Sequence, residues 1–404
     1  HRRAPTMRMR FRSFPTSNSD GTERILCLRG IRSGPRLRSP AASSPSLLFL
    51  LFRLTPVPED ARRRVQFSAP GRADVISEAV PAPGPEEVRV RTQYSAISPG
   101  TERLVYEGNV PQNLDADASI EALEGDFSYP ISYGYACVGR VEQIGNAVPA
   151  GWEDALVFAF QPHASHFVAR PETLVPLPNE TDPADAALIP SLETAVTLVM
   201  DGRPMIGESV VVFGQGVVGL LTTRLLRDHP LQKLVAVEPV PARRERAAAL
   251  GAQTVASADG LDADSPAASS ETVLDETPDP AGADLVYELT GQPSVLNEAV
   301  AHTGFGGRLV VGSWYGTKQA PINLGGHFHR SRMRIVSSQV STIDPQHRGR
   351  WTKDRRMSVV VDALSDVRPG RLISDRFSVE EAPSVYEKLA RGASMLQPVF
   401  VYDT

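Results

Sequence analysis

Cysteine is almost absent from this 404-residue chain, which contains only Cys27 and Cys137. Two cysteines cannot build a disulfide framework or a four-cysteine metal site, so we do not expect the fold to depend on an oxidising compartment. Long apolar runs are also missing, since none exceeds six residues, as at 47–52. A membrane-spanning helix needs about 20 apolar residues, so no membrane partner is expected.

Positive charge is scarce outside the first 64 residues, which hold fourteen arginines and four acidic residues. The whole chain has a net charge of −5, so residues 65–404 carry −15. An acidic body repels nucleic-acid phosphates, which argues against a nucleic-acid partner. The balance fits a cytoplasmic enzyme that acts on a small-molecule substrate.

Residues 1–63 are rich in Arg, Ser and Pro and show no sustained apolar period. Three interpretations stay open: a disordered or non-native N-terminal extension, a targeting segment such as a transit peptide, and a basic binding arm. We treat the segment as an extension and predict the fold from the rest of the chain.

The remaining sequence changes character along its length. Short alternating strands come first, at 65–67, 73–76, 87–91, 138–144 and 155–160. Residues 182–200 are predicted as one helix, with Asp182 as its N-cap. Beyond residue 207 apolar strands alternate with helices, a pattern typical of a parallel sheet covered on both faces. An acidic stretch, 256–282, is predicted as a solvated loop.

The strongest chemical signal is a G-x-G-x-x-G motif, Gly214-Gln215-Gly216-Val217-Val218-Gly219. It directly follows the apolar strand 209–213 and opens a helix, which is the context of a dinucleotide-binding loop. The first glycine allows a tight turn, the second lets the backbone approach a pyrophosphate, and the third permits close helix packing. The motif therefore predicts a bound dinucleotide.

Two side chains after the next strand bear on which dinucleotide binds. Glu238 ends that strand and can accept both ribose hydroxyls of NAD while repelling the extra phosphate of NADP. Arg243 follows closely and could bind that phosphate instead. We predict NAD as the cofactor and keep NADP as the alternative.

The order of a β-rich segment, a nucleotide-binding segment and a short return resembles the medium-chain dehydrogenase/reductase superfamily, the zinc alcohol dehydrogenase-like proteins. The glycine loop and four other stretches carry this resemblance: Ala96-Ile97-Ser98-Pro99-Gly100-Thr101-Glu102, Gly134-Tyr135-Ala136-Cys137-Val138-Gly139, Ala283-Asp284-Leu285-Val286-Tyr287-Glu288-Leu289-Thr290-Gly291 and Gly306-Gly307-Arg308-Leu309-Val310-Val311-Gly312.

The resemblance covers residues 64–404 and implies an α/β fold, in which a Rossmann doubly wound parallel sheet accompanies a β-rich GroES-like catalytic domain. It implies that residues 64–195 form the catalytic domain, 196–335 the dinucleotide-binding domain and 336–404 a return to the catalytic domain. A homodimer is also expected.

This chain departs from the family where the zinc ligands should lie. The first ligand position holds Ser98 or Pro99, the family's Gly-His-Glu ligand pair appears as Gly134-Tyr135-Ala136, and the third position falls near Pro190. Residues 103–133 contain no cysteine for the structural zinc lobe. Zinc needs three or four N, S or O ligands, so we expect no zinc.

Other side chains must then serve the substrate oxygen during hydride transfer. Thr101 matches a family residue that relays the alcohol proton, Ser98 lies one turn away, and Tyr135 replaces a ligand. Each could instead be a turn-stabilising hydroxyl or a packed ring. Glu193 is either a general base with a raised pKa or a salt-bridged or solvent-facing acid.

The resemblance adds further candidates around the cofactor. It implies that Thr194, Thr290, Gly312 and Ser313 contact it. Trp314 either lines a flat substrate or packs at a subunit interface.

A histidine pair and a basic cluster are less decisive. His163 and His166 could relay protons or bind a metal, or they could be solvated loop residues. The basic cluster 325–332 could attract an anionic substrate or form a salt-bridged surface.

Two local patterns, at 97–104 and 238–244, look like those of the bacteriochlorophyllide a dehydrogenase branch, whose members oxidise a hydroxyethyl group on a tetrapyrrole with NAD. We therefore predict a zinc-independent NAD(H)-linked oxidoreductase that interconverts a secondary alcohol and a ketone on a bulky substrate. The alternatives are an NADPH-dependent quinone or enone reductase and a catalytically inactive dinucleotide-binding protein.

Overall fold

The computed structural model describes residues 61–111, 114–117, 120–123, 125–264 and 282–402. Two sequence predictions lie outside this range: the N-terminal extension up to residue 60, and residues 265–281 of the acidic loop. No helix among the described residues is long and apolar enough to cross a lipid bilayer.

The strands within the described ranges are, in chain order, β1 Arg62–Ala69, β2 Arg72–Glu78, β3 Val88–Ala96, β4 Cys137–Ile144, β5 Leu156–Ala159, β6 His166–Ala169, β7 Leu174–Pro176, β8 Ser209–Phe213, β9 Lys233–Val237, β10 Gln253–Val255, β11 Ala283–Glu288, β12 Thr303–Val311, β13 Arg334–Ser337, β14 Asp375–Ser378 and β15 Pro398–Val401. The α-helices are α1 Thr101–Glu107, α2 Pro183–Ala186, α3 Ile189–Gly202, α4 Val217–Leu226, α5 Pro241–Ala249, α6 Leu296–Ala301, α7 His327–Arg330, α8 Lys353–Val367 and α9 Ala382–Ala390.

A β-rich sheet forms the first half of the fold, with the strand order β14-β15-β3-β4-β5-β7 and β6 beside β3. Strand β3 alternates, since Val88 and Val90 are fully buried while Arg91 is exposed, as expected for a strand with one face in the core. Strands β14 and β15 return from far along the chain, and Val399 of β15 pairs antiparallel with Ala96 of β3.

A six-stranded parallel sheet forms the second half, with the order β10-β9-β8-β11-β12-β13. This is the doubly wound order, in which the chain reverses direction across the sheet between β8 and β11. Val210 and Val212 of β8 are fully buried because helices cover both faces. The predicted fold class is confirmed.

The predicted single helix over 182–200 is wrong, because the structure contains two helices, α2 and α3. Asp182 caps α2 as predicted, its carboxylate accepting the Ala184 N–H. Pro190 lies in the first turn of α3, and proline cannot donate the backbone bond that would continue α2.

Two element bounds bear on the predicted domain limits. Strand β1 begins at Arg62, inside the segment 1–63 that was predicted as an extension, and α3 crosses the limit between residues 195 and 196. The limits themselves stay a prediction. Helix α3 also carries the shared core, since Leu192 of α3, Val138 of β4 and Leu220 of α4 belong to one hydrophobic cluster.

Candidate functional site

The glycine loop 214–219 joins β8 to α4 at the carboxyl edge of the parallel sheet. Gly214 has φ +88°, and a Cβ on Gly219 would lie 2.1 Å from the Gly214 carbonyl oxygen, so helix and turn pack directly on each other. By contrast, no atom lies within 4 Å of a Cβ built on Gly216. Open space at the start of α4, beside Val217 and Val218, suits a pyrophosphate.

Gln215, predicted to contact the cofactor, is fully buried instead. Its backbone N–H donates to Glu238 at 2.8 Å, and its side-chain oxygen accepts the Thr223 hydroxyl at 3.0 Å. Its side-chain nitrogen has no hydrogen-bond partner among the described residues. Gln215 therefore stabilises the loop through buried hydrogen bonds. This geometry does not support the direct contact with the cofactor that we predicted for its side chain.

Glu238 follows β9 and is only 3% exposed. Its Oε2 accepts the Gln215 N–H, and its Oε1 accepts the Val240 N–H at 2.9 Å. A carboxylate can accept about four hydrogen bonds, which leaves capacity for ribose hydroxyls.

The two arginines beyond Glu238 behave differently. Arg244 donates to the Glu238 and Pro239 carbonyl oxygens, both at 2.7 Å, and so stabilises the turn that enters α5. The Arg243 guanidinium is half-buried and has no partner among the residues that the structure describes. It is therefore the cation that a 2′-phosphate could reach.

A second cluster lies at the carboxyl ends of β11 and β12, next to the glycine loop. Glu288 is fully buried and accepts hydrogen bonds from the Thr290 N–H at 2.8 Å, the Thr290 hydroxyl and the Tyr315 hydroxyl. Ser313 accepts the Gly291 N–H at 2.9 Å. Thr290 and Ser313, two of the predicted cofactor residues, thus lie at one sheet edge.

Helix α3 reaches the same edge. A Cβ on Gly312 would lie 2.6 Å from a methyl carbon of Leu198, so the helix packs closely on the Gly312 turn. Thr194, one turn before Leu198, shares its face of the helix, and its hydroxyl donates to the Pro190 carbonyl at 2.9 Å. The predicted cofactor residue Thr194 therefore lies one helical turn from the point where α3 contacts Gly312.

The predicted catalytic hydroxyls also meet. Tyr135 is partly buried, and the Ser98 and Thr101 side chains lie close enough to its phenol to lower its pKa. Burial nevertheless raises the pKa of Tyr135 to about 12, and the Glu102 carboxylate adds to the rise. The phenol therefore keeps its proton at neutral pH and can donate it to a substrate oxygen.

Aromatic rings connect this hydroxyl cluster to the nucleotide-binding sheet. Tyr135 lies edge-on to Tyr133 at 6.2 Å, Tyr133 lies 6.0 Å from Phe127, and Phe127 stacks on Trp314 at 6.0 Å. We call these four rings the aromatic wall. Trp314 follows Ser313 and is 38% exposed, so it presents a flat apolar surface beside the predicted cofactor residues.

The histidine pair is split by the fold. His163 is fully buried, and its ring nitrogens contact Glu102 at 2.9 Å and Ser95 at 2.7 Å. The interpretation of His163 as a solvated loop residue is therefore wrong. His166 begins β6, where its Nδ1 contacts the Ser165 hydroxyl at 3.0 Å, and burial lowers its pKa.

Glu193, the predicted general base, forms a buried ion pair instead. Its Oε1 accepts from two guanidinium nitrogens of Arg356, at 2.6 and 3.2 Å, and Arg356 also donates to the Val340 and Thr342 carbonyls. Burial raises the pKa of Glu193 while Arg356 opposes the rise. In this arrangement the carboxylate joins α3 to α8 and is not free to take a substrate proton.

The residues at the family's zinc positions do not fit that metal. Ser98, Pro99, Tyr135 and Pro190 offer no imidazole, thiolate or carboxylate, the groups that bind zinc. Cys137 is buried, its thiol lies 3.4 Å from the Gln161 and Pro162 carbonyls, and burial raises its pKa to about 12. Within the described ranges, no three His, Cys, Asp or Glu side chains form a group that could hold a metal ion.

Several residues of the site were not predicted. Arg356 contacts Glu193, and Tyr386 contacts Glu102. Both lie far along the chain from these acids, and no local pattern marks them. Glu288 and Glu102 occur inside the stretches that carry the family resemblance, and an acid at the end of an apolar strand is a signal that could have found Glu288.

Comparison with known proteins agrees with this geometry. A family model described as zinc-binding dehydrogenase matches residues 217–355. The L-threonine 3-dehydrogenase of Caldanaerobacter subterraneus is 24% identical over 269 residues, which cover 59% of this chain and 72% of that relative. The 2-dehydro-3-deoxy-L-galactonate 5-dehydrogenase of Pseudoalteromonas atlantica is 28% identical over 297 residues, which cover 66% and 80%.

Solved structures show the same architecture. One assigned as a zinc-binding dehydrogenase from Sinorhizobium meliloti, with NADP bound, matches 85% of this chain and all of its own with a TM-score of 0.67 at 20% identity. The shared fold is a Rossmann domain joined to a GroES-like β-rich domain, as predicted. These relatives do not test the similarity to the bacteriochlorophyllide branch, which stays a prediction. Read with the glycine loop and the strand order, the family match and these relatives support assignment of the chain to the medium-chain dehydrogenase/reductase superfamily of NAD(P)-dependent oxidoreductases.

Proposed function

We propose that this protein is a zinc-independent, NAD(H)-linked oxidoreductase that interconverts a secondary alcohol and a ketone on a bulky substrate. The observation that carries the proposal is the meeting of Ser98, Thr101 and Tyr135 where the family's zinc ligands would lie. The zinc-binding family model does not weigh against it, because the matched range 217–355 contains none of the positions at which those ligands would lie.

A bound dinucleotide supplies the hydride donor or acceptor. The chain's own contribution begins with Tyr135, whose phenol donates a hydrogen bond to the ketone oxygen and gives it a proton in the direction of reduction. Thr101 and Ser98 lie beside the same phenol. Oxidation is the reverse: the ionised Tyr135 takes the alcohol proton, and Thr101 and Ser98, which lower the pKa of the phenol, stabilise that ionised form before the proton arrives.

The preference for NAD depends on Glu238. Its carboxylate lies at the end of β9, retains acceptor capacity and is held in place by two backbone N–H groups. A carboxylate fixed there favours two ribose hydroxyls and repels a 2′-phosphate.

The bulk of the substrate follows from the aromatic wall. Phe127 supports one face of Trp314 by stacking, and the indole directly follows Ser313 and is connected through Phe127 and Tyr133 to the Tyr135 ring. Flat apolar groups gain both buried area and ring contacts on such a surface. Replacement of Trp314 by alanine is expected to raise the KM for an aryl ketone far more than the KM for acetone.

The second candidate is an NADPH-dependent reductase of quinones or enones, and the unpartnered, half-buried Arg243 is the observation that favours it. A catalytically inactive dinucleotide-binding protein is the remaining alternative.

The test is titration of the purified full chain with NADH and NADPH, followed by nicotinamide fluorescence, with metal content assayed on the same sample. We expect tighter NADH binding without stoichiometric zinc, and NADH-dependent reduction of aryl ketones. Preference for NADPH with turnover of enones supports the reductase, and binding without turnover supports the inactive protein. Stoichiometric zinc contradicts zinc independence.

We also propose that the protein forms a homodimer. Strand β13 is the edge strand of the parallel sheet, and Ile335 on that strand is 39% exposed, as is Ile322 nearby in sequence. An exposed strand edge with apolar side chains is a surface that proteins normally cover. Light scattering on the full chain measures the mass directly, and a monomer at micromolar concentration contradicts the proposal.

A further inference from the structure

Glu102 is a fully buried acid in the first turn of α1, one residue after Thr101. Its Oε2 lies 2.9 Å from His163 Nε2 and accepts the Tyr386 hydroxyl at 2.5 Å. Its Oε1 accepts the Ser98 backbone N–H at 2.8 Å. Three hydrogen-bond partners therefore surround one carboxylate that water does not reach.

The bonds continue beyond Glu102 in one consistent direction. If Nε2 of a neutral His163 donates to Glu102, its Nδ1 must accept, and the Ser95 hydroxyl lies 2.7 Å away as the donor. Ser95 can in turn accept from the Tyr402 hydroxyl at 2.9 Å. Donation then runs from Tyr402 through Ser95 and His163 to Glu102, and each group in the series has a partner.

This series touches the predicted catalytic hydroxyls at two points. The Ser98 backbone is bonded to Glu102, while the Ser98 side chain lies beside the Tyr135 phenol and lowers its pKa. The His163 ring packs on Gly134, where a Cβ would come within 2.6 Å of the imidazole. Gly134 directly precedes Tyr135, so the network contacts both the segment that carries Ser98 and the segment that carries Tyr135.

We propose that Glu102, held by His163 and Tyr386, is a positioning residue that fixes the 98–101 turn against the Tyr135 hydroxyl. The proposal deepens the proposed function and rests on it in one respect, that Tyr135 serves the substrate oxygen. Glu102 and His163 are fully buried and do not contact the substrate themselves. Their effect is to hold the donors in one geometry, a condition on which the rate of hydride transfer depends.

The charge of Glu102 has a second consequence for Tyr135. The groups that face the phenol are Ser98 from the turn before α1, Thr101 and Glu102 from α1, Tyr133 beside it, Asp117, and Tyr386 from α9. Glu102 is the first of the charged groups to raise the pKa of Tyr135, ahead of Asp117. The Glu102 carboxylate therefore raises the pKa of the Tyr135 phenol in addition to positioning the turn beside it.

The experiment compares two pairs of variants in the full chain. Glu102→Gln removes the buried charge, and Glu107→Gln is its control, because Glu107 ends the same helix and pairs with Arg103 and Asn109 away from the network. Tyr386→Phe removes one donor to Glu102. Its control is Tyr106→Phe, because Tyr106 stacks on Tyr386 at 5.6 Å but donates to the Gly71 carbonyl.

The first readout needs no substrate. With tyrosine labelled by ¹³C at Cζ, the Tyr135 resonance is assigned by its loss in Tyr135→Phe, and it is titrated in each variant over the pH range in which the protein stays folded. We expect Glu102→Gln to lower the pKa of Tyr135 by about one pH unit and Tyr386→Phe to shift the resonance. The two controls should match the unchanged protein.

The second readout is reduction of an aryl ketone such as acetophenone by NADH. We expect kcat to fall about tenfold in Glu102→Gln and about threefold in Tyr386→Phe, with KM and NADH binding nearly unchanged. If Glu102→Gln does not fold, Tyr386→Phe against Tyr106→Phe decides the matter.

Equal Tyr135 resonances and pKa values in variants and controls overturn the positioning role. Failure of the unchanged protein to reduce any ketone would contradict the proposed function instead, and the resonance of Tyr135 would still support or overturn the positioning role.

Discussion

The two ends of the candidate site are built in opposite ways. The dinucleotide end depends on six consecutive residues, 214–219, and its working feature is space that side chains leave free, as at Gly216. The hydroxyl end assembles Ser98, Tyr135 and Glu102 with groups from distant segments, and its working feature is a set of buried hydrogen bonds. The first end is a local motif that a sequence shows directly, and the second exists only when the whole fold is formed.

This difference predicts how each end tolerates change. A loop that acts through open space is damaged by added atoms, whereas a network that acts through hydrogen bonds is damaged by removed ones.

The largest effect is expected at the hydroxyl end. Tyr135→Phe removes the donor to the substrate oxygen and keeps the ring, so kcat for ketone reduction should fall about 100-fold or more while NADH binding is unchanged. Tyr129→Phe is the control, because its hydroxyl donates to the Val105 carbonyl. A Tyr135→Phe variant that retains full kcat contradicts the assignment.

The next effect separates two glycines of the same loop. Gly216→Ala places a methyl group in open space, so the thermal unfolding midpoint should stay unchanged while the Kd for NADH rises about tenfold. Gly219→Ala forces a Cβ to 2.1 Å from a carbonyl oxygen, which should cost about 1–3 kcal/mol of folding free energy. Calorimetry and NADH titration on both variants check the pair, and equal destabilisation by both would contradict the geometry.

A smaller effect is expected at Glu238. Glu238→Gln removes the charge that repels a 2′-phosphate, so the ratio of NADPH to NADH affinity should rise about tenfold. Arg243→Ala should leave NADH binding unchanged and weaken NADPH binding. Fluorescence titrations with both nucleotides measure the ratio, and an unchanged ratio in Glu238→Gln would remove the basis for the NAD assignment.

The smallest effect concerns alkaline stability. An unfolded tyrosine ionises near pH 10, whereas Tyr135 in the fold has a pKa of about 12. Between these values the unfolded chain has lost the proton and the folded chain retains it, so rising pH favours unfolding. In Tyr135→Phe the free energy of unfolding should therefore decline less steeply with pH between these values, by up to about 1.4 kcal/mol per pH unit. Urea unfolding at a series of pH values measures the slope, and an unchanged slope contradicts the raised pKa.

The sequence was informative wherever a function is carried by neighbouring residues. The β8–loop–α4 motif and the carboxylate of Glu238 were placed correctly, because strand, turn and helix follow one another in the chain. The hydroxyls Ser98, Thr101 and Tyr135 were anticipated from the family resemblance, and the structure brings them together.

Prediction failed where the deciding contact is distant in sequence. Glu193 was left open between a general base and a salt-bridged acid, because nothing near it reveals Arg356, 163 positions further on. His163 was weighed as a solvated loop residue because Glu102, the acid that it contacts, lies 61 positions away. The break between α2 and α3 is different, since Pro190 was visible and its missing N–H was sufficient reason to expect two helices.

The pairing of β15 with β3 has a consequence for biosynthesis. Ser95 and Tyr402 are hydrogen-bonded although they are 307 positions apart, and the entire nucleotide-binding sheet, β8 to β13, is translated between them. During translation that sheet can form while β3 still lacks β15 and Glu102 still lacks Tyr386. The catalytic half of the molecule is therefore completed last, and closing such a long loop is slow. A nascent chain should bind a dinucleotide on the ribosome before it can turn over any substrate.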